Sequence, residues 1–133
     1  MIRTTATIVI AAALAAACSK DGGAAAGGGT GDDAVVAAWK KAGLEVSALT
    51  DADAKAYSAE GCRSGTVSGV DVVLCKYDTG EDAKAAEDPA LTSLGGVTGA
   101  AIAKGARLLV VADRRKADPT GRTIDAITKA FRK

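Results

Sequence analysis

The stretch Cys62 to Tyr77, CRSGTVSGVDVVLCKY, decides the fold. Its centre, Ser68-Gly69, is the kind of dipeptide that closes a two-residue β-hairpin turn. Val70, Val72 and Leu74 then alternate onto one face of the second strand. A turn at 68–69 pairs Val67 with Val70, and counting outward sets Cys62 directly opposite Cys75. The pair flanking such a turn is hydrogen-bonded and the two types then alternate, which makes the cysteine pair non-hydrogen-bonded. Cα atoms in that kind of pair lie about 4.5 Å apart, close enough for an S–S bond. The bridge is expected on the face opposite Val70, Val72 and Leu74, stapling the hairpin from its outer side. Other uses of these thiols fit poorly. His is absent, so the two cannot complete a tetrahedral zinc site, and no CxxC spacing suggests a thioredoxin-like centre.

Working outward, Thr79 is placed to cap a helix with Glu81 and Asp82 in its first turn, ending before Pro89. Gly95-Gly96 breaks the chain again. A second hairpin is expected from Val97 to Ala112 around Lys104-Gly105, its run Leu108 to Val111 suiting a strand inside a sheet. Asp118 and Pro119 start a last helix with the apolar stripe Ile124, Ile127 and Phe131. On the N-terminal side, Asp32 or Asp33 caps a helix carrying Val35, Val36 and Trp39, with Gly43 as its stop. Leu44 to Leu49 is a short strand candidate, and Thr50 with Asp53 resembles a capping box for a short helix through Tyr57. The expected fold is an α+β two-layer sandwich. A mainly antiparallel sheet is built from two hairpin–helix units, with an N-terminal helix, as a single domain over 32–133.

The 133 residues leave room for one domain. Ala numbers 31 and Gly 16, and the only aromatics are Trp39, Tyr57, Tyr77 and Phe131, so the core must be small and aliphatic. Lys and Arg number 17 against 16 Asp and Glu, a balance that gives no reason to expect nucleic-acid binding. His, Asn and Gln are absent, which excludes Ser-His-Asp and Cys-His catalysis.

The N-terminus reads as an address. One positive charge, Arg3, precedes the almost wholly apolar run Ala6 to Ala17, and small residues lead to Cys18. At 12 residues the run is short of the roughly 20 needed to span a bilayer. Leu14-Ala15-Ala16-Ala17-Cys18 resembles the lipobox of bacterial lipoproteins, with its leucine one step further from the cysteine than that pattern prefers. The resemblance implies a signal peptide over 1–17, cleavage before Cys18, and a lipidated thiol there carrying the palmitate-type acyl chains of that class. Ser19 after the cysteine implies, for that class, the outer membrane. The tract 18–31 has no large apolar side chain after the cysteine and is expected to be a Gly/Ala-rich flexible linker. The strings Gly61-Cys62, Gly65-x-Val67-x-Gly69, Leu74-Cys75-x-Tyr77, Val111-Ala112-Asp113-Arg114 and Asp118-Pro119-x-Gly121 are similar to those of small uncharacterised bacterial envelope lipoproteins, a likeness that brings no activity with it.

The expected role is thus a lipid-anchored envelope protein, facing the periplasm, that binds or scaffolds without catalysis. Its expected partners are the membrane, through the N-terminal lipid, and an envelope protein or ligand. No cofactor, metal or nucleic acid is called for. Arg114, Arg115 and Lys116, beside the last helix, form a candidate anion site, although Asp118 as cap would occupy the amides an anion needs. Two other readings stay open: a secreted periplasmic domain without lipid, and a small hydrolase using the acidic pairs Asp32-Asp33, Glu81-Asp82 or Glu87-Asp88.

Overall fold

A computed structural model describes residues 29–133. The expected signal peptide, Cys18 and most of the tract expected to be linker lie outside them. Ten elements follow in order: helix α1 (Gly29–Lys41), strand β1 (Thr50–Ala52), a 3-10 turn (Lys55–Tyr57), β2 (Gly61–Val67), β3 (Val70–Lys76), α2 (Gly80–Ala85), α3 (Glu87–Ser93), β4 (Gly99–Lys104), β5 (Arg107–Ala112) and α4 (Arg122–Arg132). The last three residues of the tract expected to be linker, 29–31, belong to α1. No described helix is long and apolar enough to cross a membrane.

The class is α+β, with one five-stranded sheet in the order β1-β2-β3-β5-β4, antiparallel throughout. The first hairpin has the register read from the sequence: Val67 pairs with Val70 and Cys62 with Cys75. Ser68 and Gly69 both have positive φ, 48° and 85°, which is the geometry of a type I′ turn and the reason glycine stands at 69. The two hairpins join through their second strands, β3 against β5. β3 is therefore the central strand.

Helices lie on both faces of the sheet, so the two layers expected become three. One face carries Val67, Val70, Val72, Leu74, Leu109 and Val111 against Trp39 of α1 and Ile127, Ala130 and Phe131 of α4. Trp39 is fully buried and its indole N–H donates to the Ile127 carbonyl at 3.0 Å, so that α1 and α4 are held together. The other face packs Cys62, Cys75, Tyr77, Leu108 and Val110 against Ala83, Ala90 and Leu94 of the α2–α3 segment. The physical reason is side-chain size: alanine lets two short helices lie close on a sheet without a long apolar stripe to announce them. The buried run Leu108 to Val111 in β5 is what a strand covered on both faces requires.

Several local expectations are corrected. Leu44 to Leu49 is not a strand; it is tied by the single bridge Val46 to Val67, and the strand proper is Thr50–Ala52. Between them the Ser47 hydroxyl accepts from the Thr66 amide at 2.8 Å, and the pairing slips by one residue, as at a bulge. Thr50 caps nothing. Asp53 Oδ1 accepts from the Lys55 amide and starts the 3-10 turn instead. Pro89 does not end helical structure but sits in the first turn of α3, where its missing N–H has no partner to lose. The second turn is Gly105-Ala106, since Lys104 pairs with Arg107. That shift moves the pairing by two residues and leaves every β4 side chain on its expected face. α4 begins at Arg122, three residues beyond Pro119.

Gly99 pairs with Ala112, where a Cβ would run into the Val111 carbonyl oxygen and lie 2.9 Å from Leu94 Cδ1. Neither main chain nor packed leucine gives way cheaply. Gly99→Ala is expected to cost about 1–3 kcal/mol of stability, read from chemical denaturation with an unchanged m-value. A neutral substitution would mean β4 is not pinned to β5 at that point.

Candidate functional site

The residues that could act lie in three places. The first is the disulfide and the corner built around it. Cys62 and Cys75 are bonded, with Cα atoms 4.1 Å apart, on the face opposite Val70, Val72 and Leu74. The bridge is buried, not on an outer side as expected, because Ala52, Ala54, Tyr57 and Ala59 pack against its cluster. This covering segment is fixed locally. Ser58 takes a left-handed φ of 52° and its amide donates to the Lys55 carbonyl, while the Ala59 amide donates to Ala54. Tyr77, buried on the same face, donates its hydroxyl to the Tyr57 carbonyl at 2.6 Å. Burial, and then the neighbouring Tyr57 phenol, push the Tyr77 hydroxyl above its usual range, so it remains a donor at neutral pH.

Between this segment and the α2–α3 helices is a cleft of about 280 Å³, bordered by Tyr57, Ser58, Tyr77, Asp82, Pro89 and Ala90 among others. Thr79 caps α2 as expected, its hydroxyl accepting from the Asp82 amide at 3.1 Å. The Asp82 carboxylate is left to the exposed surface. Sequence reasoning missed this cleft. The available signal was that two of only four aromatics, Tyr57 and Tyr77, flank the bridged hairpin.

The second place is the loop after β5. Asp113 and Asp118 are buried, 8% and 6% exposed, and both carboxylates are turned inward. Asp113 accepts from the Ala117 amide at 2.8 Å and the Asp118 amide at 3.0 Å; Asp118 accepts from the Ile124 amide at 2.8 Å. Burial pushes the Asp118 carboxyl up, but bonds from the Ile124, Thr123 and Arg122 backbone outweigh it and hold the group below its ordinary value. Asp118 thus occupies the α4 amides from four residues upstream of the helix. Arg114, Arg115 and Lys116 are exposed around this loop, and Arg115 pairs with Asp71 at 3.3 Å.

The acidic pairs form the third group: Glu81, Glu87 and Asp88 border one open pocket together with Lys84, whereas Asp32 and Asp33 belong to α1. Asp32 is buried on α1 beside Arg107, 3.6 Å away; burial pushes its carboxyl up and the Arg107 guanidinium offsets part of that. Glu87 pairs with Lys84 and accepts from the Ala103 amide at 2.8 Å, which covers an open donor of the edge strand β4. Lys84 first, and that amide second, hold the Glu87 carboxyl below its ordinary value. Among the described residues no three His, Cys, Asp or Glu side chains are placed to hold a metal ion together. No protein family, curated protein or solved structure matches this chain.

Two outcomes are expected. Replacing both Cys62 and Cys75 by Ala should cost about 3 kcal/mol and leave the fold's circular dichroism intact at low temperature. An unchanged Tm would remove the bridge from the account. Glu87 and Asp118, held low in the folded state, contribute stability above the unfolded carboxylate range that is lost as pH falls through their lowered values. Tm should therefore fall on acidification below about pH 4, and less steeply in Glu87→Gln. Parallel curves would show that the Glu87 bond to β4 contributes nothing.

Proposed function

We propose that this is a lipid-anchored protein of the cell envelope, held by acyl chains on Cys18, whose folded domain binds or scaffolds rather than catalyses. The observation that carries the reading is the allocation of cysteines. Cys62 and Cys75 are bonded to each other, which suits an exported chain in an oxidising compartment. The third, Cys18, is the last residue of the lipobox-like string Leu14 to Cys18. Ser19 supports the outer membrane, with the domain facing the periplasm, at the end of a tract rich in glycine and alanine. Each buried CH₂ contributes about 0.8 kcal/mol, so two or more chains give a durable anchor where one would not.

The reading is tested by fractionation. Cys18→Ser should move the protein from the membrane pellet to the soluble envelope fraction, with the folded domain's Tm unchanged. A variant that stays in the pellet through a detergent-free salt wash would overturn the anchor. A wild-type chain found wholly in the soluble fraction would favour the secreted alternative.

A further inference from the structure

We propose that the cleft between the Lys55–Tyr57 turn and helices α2 and α3 binds a small organic cation, an ammonium group carried on a short apolar stem. The proposal rests on the binding-domain reading and names the ligand class of that domain. The cleft holds about 280 Å³, near the lower end of the range for small-molecule sites. Its wall on the helical side is apolar along Ala85, Ala86, Pro89 and Ala90, which suits the stem, and carries Asp82 of α2 at one end.

The other wall brings Tyr57 and Tyr77, half of the chain's aromatic residues, to one place. Tyr77 is buried with its hydroxyl given to the Tyr57 carbonyl, so the half-buried Tyr57 ring is the aromatic surface a cation can reach, and aromatic faces attract cations. The charge follows the same sign. Among the described residues Asp82 is the one carboxylate lining the cleft, and no Lys or Arg lines it. An anion entering the cleft would be repelled by the exposed Asp82 carboxylate, and a neutral ligand would gain no ion pair with it. A cation satisfies both walls.

The test is a titration of the isotopically labelled full chain, followed by the amide resonances of the cleft, with three probes that share a phenyl ring and a two-carbon stem. Phenethylammonium should bind saturably, with shifts confined to residues 56–58, 77 and 82–90, and phenethyl alcohol and phenylpropionate should not. Asp82→Asn and Tyr57→Ala should each weaken phenethylammonium about two- to five-fold, and Tyr57→Phe should keep most of the binding. Asp82→Asn and Tyr57→Phe keep the local packing, whereas Tyr57→Ala trims a side chain that packs on the bridge cluster, so its Tm is measured alongside. Thr79 accepts from the Asp82 main-chain amide, and Tyr77 donates to the Tyr57 main-chain carbonyl, so both bonds survive the side-chain changes. Equal binding of all three probes, a preference for the carboxylate, shifts elsewhere, or no saturation would each overturn the proposal. None of those results bears on the anchor, which fractionation decides separately.

Discussion

The register of the β2–β3 hairpin is the constraint on which the rest depends. A two-residue turn at Ser68-Gly69 fixes every pair outward to Gly61 and Lys76. Because strand side chains alternate, that one choice also sorts the strand residues between two cores. Val70, Val72 and Leu74 go to the α1–α4 face, and Cys75 goes to the α2–α3 face opposite Cys62. A slip of one residue would exchange the faces and carry the two thiols apart. The disulfide closes the register in which Cys62 stands opposite Cys75 and both cores are filled. β3, so placed, is the template on which β5 lays down the second hairpin.

A second theme is how this chain satisfies its loops. Asn and Gln are absent, so carboxylates are the strong long-reach acceptors available. Asp53 starts the 3-10 turn, Asp113 folds the loop after β5, Asp118 caps α4 and Glu87 covers an edge amide. Read as bare sequence, the acidic pairs suggest two-carboxylate chemistry. In three dimensions Glu87 and Asp32 are engaged by Lys84, Arg107 and backbone amides. The exposed basic run Arg114 to Lys116 is the outer side of a loop whose own acids point inward, which is a structural reason for its shape that needs no ligand.

The first hairpin and its cysteine pairing were legible because the turn dipeptide and period-two alternation are local signals. The apolar stripe of α4 and the Thr79 cap were legible for the same reason. The second helical layer was not. Ala83, Ala86 and Ala90 carry too little hydrophobic contrast to mark a buried face, although the four-residue run in β5 already implied burial on both sides. The stretch 44–52 misled because Ser47 interrupts the ladder with its own hydroxyl, which no periodicity reveals. The Tyr57–Tyr77 cleft depends on bringing residues 20 apart under α2 and α3, a tertiary event.

Two of the three cysteines make the buried bridge that locks the hairpin, and the third, Cys18, is the residue we propose carries lipid. The most direct measurement is a mass-spectrometric peptide map, without reduction, of the protein taken from its native envelope. The account requires a fragment linking Cys62 to Cys75 and a first residue at Cys18 carrying acyl chains. A chain whose Cys18 is an unmodified thiol, or in which Cys62 and Cys75 are both free, would contradict it.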